Sequence, residues 1–383
     1  MNEIDKYNPK VLHVSYSKYP PMGVIEQLKS EIYAVKQLGI PWESILIGAG
    51  ECDQPFYIRQ KPNLPGPLRW LLVYLWIINN KSNFDIILMR WIKSDFIGWI
   101  FVPFIKNIVF VNHTKEIEEC SGVRPFWYGW LLSRAEKTFG RLKLKHASAI
   151  AAVTNEIAIY QMKRIGVNKP AVIIPNGINT DIQEILDDRR TDQLSAIYVA
   201  SKFEAWHGLD LLLASYKENP QCHLNIHLVG KINKSDLDLV NAINDTGGNI
   251  FIHGVLAKDE ISHIISECHL GLGSFGLFRN KLTEACTLKT REYLACGLPV
   301  YASHQDSGLP DNFQFFVRGE PDVLRICDAA YDFRQFTRRE VAESARSYID
   351  KANIISNTYD QLKAIHSLGG DHDGEDRPFF SPN

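Results

Sequence analysis

Glu284 and Glu292 stand in an E-x(7)-E arrangement around Ala-Cys-Thr-Leu-Lys-Thr-Arg, and Tyr-Leu-Ala-Cys-Gly-Leu-Pro-Val follows to Val300. A carboxylate can accept two hydroxyl hydrogen bonds, which suits a ribose diol, and Glu292 is placed for that near the start of a short helix. A helix beginning at about Thr290, with Thr290 as its N-cap, would offer free backbone amides to a phosphate. Lys289 and Arg291 add positive charge beside that helix end. Glu284, in the loop ahead of it, has the same capacity toward a sugar. Gly297 reads as the helix terminator and Pro299 as the lead into a strand. The plain alternative is a charged helix start ahead of a core strand.

Such a segment needs a sheet edge behind it, and the surrounding pattern supplies two. Short apolar runs alternate with longer helical patterns, the signature of parallel sheets wrapped by helices. In the first half, strands are predicted at 11–16, 44–48, 85–91, 108–113, 149–154 and 171–175, with helices at 24–38 and 127–146. The turn Pro175-Asn176-Gly177 and a polar stretch to Ser195 separate this from a second series at 196–200, 224–229, 250–253, 271–273, 299–302 and 314–317. Helices are expected at 209–216, 258–267 and 291–296, with one long helical pattern over 338–365. The expected architecture is α/β with two Rossmann-like domains, 1–178 and 179–345. A helix at 346–366 is expected to pack back on the first, and a Gly-, Asp- and Pro-rich tail at 367–383 to be disordered.

The bulk properties narrow the class. A chain of 383 residues, 45% hydrophobic and 22% charged, is folded and too long for one core. A formal net charge of −2 provides no basic field for nucleic acid. Seven cysteines without a C-x-x-C pair fit neither a disulfide framework nor a zinc site, and suit a reducing cytosol. The polar start, with Glu3 and Asp5, does not read as a secretory leader. The apolar run 91–111 is broken by Lys93, Asp95, Pro103 and Lys106. A cytoplasmic protein is expected, at most in peripheral contact with the inner face of a membrane.

Further segments occur in a consistent order: Ile174-Pro-Asn-Gly-Ile178, Ser201 to Gly208, Leu228-Val-Gly230, Ile252-His-Gly254 and Gly273 to Arg279. With the glutamate pair, they make the chain resemble the group 1 glycosyltransferases, family 4, over about residues 8–366 and most strongly over 195–303. That resemblance implies the GT-B fold, two Rossmann-like domains facing a central cleft. It implies a retaining, metal-independent hexosyltransferase with a nucleotide-sugar donor as co-substrate and no other cofactor. A saccharide or polyprenyl-linked acceptor and a place in bacterial surface polysaccharide (O-antigen, capsule or exopolysaccharide) synthesis follow from the same likeness.

By the same resemblance Glu292 holds the ribose and Glu284 lies against the transferred sugar, with Leu288, Lys289 and Thr290 along the donor. The positions where the family clamps the diphosphate hold Ser201 and His207 here. His207, Lys202, Arg279 and Lys289 are the remaining donor contacts, the last three supplying charge. In the first half, Gly23 is assigned to the donor phosphates and His113 to the sugar. Glu116, Glu118 and Glu119 read as a solvated helix face, and Asp236-Leu-Asp238 as helix capping rather than a metal motif. The Trp-rich stretches 68–76 and 126–132 suit either buried helix faces or contact with a membrane. A sugar-nucleotide 2-epimerase and a non-catalytic partner share this fold; the first lacks a visible acid/base pair, and the second rests on Ser201 and His207.

Overall fold

A computed structural model describes residues 8–369. Two compact units divide the chain, one running to Pro175 and resuming at Lys351, the other spanning Asn176–Asp350. The first holds β1 (Val11–Tyr16), α1 (Met22–Leu38), β2 (Trp42–Gly48), β3 (Tyr57–Arg59), α2 (Gly66–Asn80), β4 (Ile86–Arg90), α3 (Gly98–Phe101), β5 (Ile108–Asn112), α4 (Glu116–Ser121), α5 (Phe126–Ala135), α6 (Arg141–Lys145), β6 (Ala149–Ala152), α7 (Asn155–Ile165) and β7 (Ala171–Ile173). Its strands form one parallel sheet in the order β3-β2-β1-β4-β5-β6-β7.

The second unit follows with β8 (Ser195–Lys202), α8 (Leu209–Glu218), β9 (Asn225–Lys231), α9 (Lys234–Asn244), β10 (Ile250–Gly254), α10 (Lys258–Glu267), β11 (Leu270–Leu272), β12 (Glu284–Ala285), α11 (Leu288–Ala295), β13 (Val300–Ala302), β14 (Gln305–Asp306), β15 (Phe316–Arg318), α12 (Val323–Asp332) and α13 (Arg338–Ile349). Its main sheet is parallel in the order β10-β9-β8-β11-β13-β15, and β12 pairs with β14 apart from it. The last helix, α14 (Lys351–Gly369), belongs to the first unit.

Helices pack on both faces of the first unit's sheet, which is why its central strands read as continuous apolar runs rather than alternating ones. In the first unit, Leu12, Val14, Ile87 and Met89 pack toward Val73, Tyr74 and Ile77 of α2. Val11, Leu88, Val109 and Val111 pack toward Ala34 and Val35 of α1 and Ile355, Tyr359 and Leu362 of α14. The helical pattern expected over 338–365 is broken at Asp350, whose extended backbone (φ −69°, ψ 129°) ends α13 and bridges to Ile178. Asp350 Oδ2 also accepts from Thr180 Oγ1 at 2.6 Å. Residues 176–180 are thereby tied into the second unit, and the division lies at Pro175 rather than 178. Residues 367–369, expected in the tail, continue α14; the rest of that tail lies outside the described residues.

The first unit buries more charge than its sequence suggests. Asp95 accepts from Tyr74 Oη at 2.5 Å and Lys143 Nζ at 3.1 Å, and Glu136 accepts from Trp91 Nε1 at 3.0 Å and Ser94 N at 2.6 Å. Glu116 is not solvated: it is buried, accepts from Gln161 Nε2 at 2.5 Å, and leaves Oε1 without a partner. Burial, then the neighbouring Glu136 charge, pushes its carboxyl up from 4.5 to about 8. Between those values the folded chain keeps a proton that the unfolded chain has lost, so this group's contribution weakens as pH rises through that window. Urea titrations should therefore find Glu116→Gln gaining in midpoint over the parent at about pH 8 and not at about pH 4.5. A difference independent of pH would contradict a protonated Glu116.

Candidate functional site

The segment around the glutamate pair is held by a buried ion pair. Arg291 donates from Nη1 to Asp306 Oδ2 at 2.5 Å and from Nη2 to Asp306 Oδ1 at 2.6 Å, with both side chains fully buried. The same guanidinium donates from Nε to Asn176 O at 3.0 Å and from Nη2 to Cys286 Sγ at 2.9 Å. Asn176 returns the contact, Nδ2 to Cys286 O at 2.6 Å and N to Cys286 Sγ at 3.0 Å. Although burial works against its charge, the Cys286 and Asp306 contacts hold the Arg291 pKa above the usual arginine value. Arg291 is thus a structural strut and not, as its place in the sequence suggests, a cation presented to a ligand.

On this base the loop carries Glu284, whose strand β12 lies beside β14 and whose Oε2 accepts from Ser307 Oγ at 2.9 Å. Helix α11 starts earlier than expected. Its N-cap is Thr287, whose Oγ1 accepts from Thr290 N at 3.3 Å, and Thr290 is itself buried with its hydroxyl 2.9 Å from that of Thr287. The first amides, on Leu288 and Lys289, lack intrahelical partners by position. The Leu288 side chain packs on the core, so any ligand contact there is through the backbone. Glu292 falls in the second turn, half exposed, and accepts from Lys289 Nζ at 2.8 Å. The opposite face is anchored by Tyr293, whose Oη accepts from Val199 N at 3.0 Å. Gly297 ends the helix in the left-handed region (φ 82°) against Arg338, where a Cβ would come within 2.4 Å of a backbone oxygen.

The other predicted contacts of this unit gather on two facing loops. Gly208 (φ 72°) lies so close to Gly276 that a Cβ would approach its nitrogen to 2.7 Å, and Phe275 N donates to His207 O at 2.7 Å. His207 is buried in this turn, its Nδ1 accepts from Glu204 N at 2.9 Å, and burial lowers its pKa. It is a neutral turn residue and supplies no positive charge. The three cations all have carboxylate partners: Lys202 with Glu204 at 2.6 Å, Lys289 with Glu292 at 2.8 Å, and Arg279 bidentate with Asp210 at 2.7 and 2.8 Å. The lysine pairs are solvent-exposed and worth only ~0–1 kcal/mol each. Arg279 is more committed, since it also donates to Ala205 O at 2.6 Å.

Gly23 and His113 belong to the first unit. Gly23 lies in the first turn of α1, where a Cβ would meet nothing within 4 Å, so packing does not demand glycine. His113 follows β5; burial, then the charges of Arg90, His13 and Lys351, keep its imidazole neutral. The side chain of Arg90, at the end of β4, was not singled out in the sequence and has no hydrogen-bond or ion-pair partner among the described residues. Asp236 lies in the first turn of α9, whose N-cap is Asn233: Asp236 N donates to Asn233 Oδ1 at 2.9 Å, and Asp236 Oδ2 accepts from Asn233 Nδ2 at 2.8 Å.

Residues 48–182 match the family model described as Glycosyltransferase Family 4. That segment excludes the glutamate pair. A glycosyltransferase from Rickettsia africae ESF-5 superposes with a TM-score of 0.64 at 14% identity, over 94% of this chain and 99% of that one. The lipopolysaccharide outer core galactosyltransferase WaaB, in its apo form, gives 0.62 at 12% identity over 93% and 99%. Anabaena Alr3699/HepE, in complex with UDP and glucose, gives 0.57 at 14% identity over 93% and 100%. No curated protein matches in sequence. The chain has the GT-B glycosyltransferase fold, and its likeness to the group 1 glycosyltransferases, family 4, holds.

Removing one member of a buried ion pair strands the other, at a cost of about 3–5 kcal/mol. Asp306→Asn should lower stability by that order in urea unfolding, with the Arg291→Met/Asp306→Leu double variant recovering part of it. A loss under about 1 kcal/mol would show that the pair does not brace the loop.

Proposed function

We propose that this protein transfers a sugar, with retention of anomeric configuration and without a metal, from a nucleoside-diphosphate donor to a saccharide or polyprenyl-linked acceptor. The observation that carries the reading is the exposed edge of α11. It sets two helix-end amides, Lys289 and the Glu292 carboxylate on one side of a segment whose other side is locked in the core. Phosphate at the helix end and a ribose diol on Glu292 use those groups without rearranging the fold. Lys202 and Lys289, released from their glutamates, take the developing charge of the departing diphosphate, which is electrostatic stabilisation rather than covalent catalysis. Glu284 and the neutral His113 serve the transferred sugar as hydrogen-bonding groups, and Gly23 leaves room beside the first turn of α1.

The setting we infer is bacterial surface polysaccharide synthesis, in the cytoplasm and at the membrane that holds the acceptor. No helix among the described residues is long and apolar enough to cross a membrane. In support of peripheral contact, Trp127 and Trp130 of α5 are 69% and 59% exposed, while Trp70 and Trp76 of α2 pack on the core.

A thermal-shift panel of nucleotide sugars tests the donor reading. A ligand at 100 times its dissociation constant stabilises by about 2.7 kcal/mol, and Glu292→Ala should abolish that shift for the preferred donor. Full retention of the shift would reject the assignment of Glu292. With donor and acceptor present, NMR of the product should show the donor's anomeric configuration; the inverted anomer would reject retention.

A further inference from the structure

The helical run that begins with α5, continues through a π-helical turn at Glu136–Gly140 and ends with α6 changes character along its length. Its first half exposes Phe126, Trp127, Trp130 and Leu131 at 67, 69, 59 and 51%. Its second half lines a groove of about 800 Å³, to which Arg134, Lys137, Arg141 and Lys145 contribute, with Lys163 from α7. None of these five cations has a carboxylate partner among the described residues. Arg164, also on the wall, is held by Glu136, and the wall's carboxylate, Glu118, accepts from Tyr160 Oη at 2.7 Å. Five cations converge here with Glu118 as the carboxylate on the same wall, so positive charge stays in excess until an anion arrives. Arg134 joins the two halves, its guanidinium lying 5.0 Å from the Trp130 ring centroid.

Tryptophan and phenylalanine side by side with unpaired lysine and arginine on one helix match the two layers of a charged bilayer surface, acyl boundary and headgroup phosphate. We propose that the run 126–145 docks the protein on an anionic lipid surface, Trp127 and Trp130 entering the acyl boundary and the groove receiving lipid phosphates. This deepens the reading of a membrane-held acceptor and takes its biological purpose from it. The occupant is a lipid surface rather than a soluble phosphate, because the aromatics flank the cations on the same run and stay more than half exposed, a feature a soluble phosphate would not use.

Flotation of the full chain with vesicles tests this. Protein should float with phosphatidylcholine vesicles containing about 30% phosphatidylglycerol at low salt, and not with phosphatidylcholine alone. Lys137→Gln/Arg141→Gln/Lys145→Gln should weaken partitioning on the order of 100-fold, near fivefold per cation. Trp127→Ala/Trp130→Ala should lose the fraction that survives about 0.5 M salt. Unchanged flotation of the triple variant, equal flotation on both vesicle types, or saturable binding of inorganic phosphate with no flotation would each overturn the proposal. Unchanged melting temperatures exclude misfolding of the variants. The donor thermal shift reads the second unit: its absence in the parent chain, with charge-dependent flotation intact, would remove the transferase reading and leave this one standing.

Discussion

A guanidinium taken out of water requires an anion beside it, and in this protein that demand, Arg291 upon Asp306, organises the segment around Glu284 and Glu292. Arg291 sits one residue before Glu292 on α11, Asp306 on β14, Cys286 in the loop after Glu284, and Asn176 at the first residue of the second unit. Four separated stretches are thereby fixed to one another through charged and polar contacts whose geometry tolerates little error. Apolar residues of equal volume could fill the same space, but they would not fix the direction of the loop that carries Glu284.

The rigidity of that base contrasts with what stands on it. Lys202, Lys289, Glu204 and Glu292 are exposed and paired with one another, so each can be drawn to a ligand at small cost. A site that binds a diphosphate must first avoid binding its own carboxylates too well. Bidentate Arg279 and Asp210 lie nearer that limit. His207 contributes no charge to this set: its imidazole, kept neutral by burial, closes the turn on the Glu204 backbone.

Much of this was legible in sequence because core strands and caps are local. The bounds of β1 and α10 match the apolar and capping pattern, and Gly297 marks the end of α11. Strands β12 and β14, two residues each, are too short to show a period, and β3, Tyr57–Arg59, is not an apolar run; none of the three was anticipated. Thr287 and Thr290 are equally good caps by type; the choice falls on Thr287 because Thr290 is needed in the core. Glu116 reads as solvated beside Glu118 and Glu119, and only the packing of α7 puts Gln161 against it. Likewise nothing local distinguishes the tryptophans of α2, which face the sheet, from those of α5, which do not. Partners distant in sequence, above all Asp306 for Arg291, leave no local trace.

The proposed function requires a nucleotide sugar to be held on the edge of α11 above the locked loop. Hydrogen–deuterium exchange with and without the donor that most raises the melting temperature addresses it directly. Slowed exchange is expected in residues 284–295, centred on the amides of Leu288 and Lys289. A donor that stabilises the protein while leaving exchange in 284–295 unchanged would place its site away from α11.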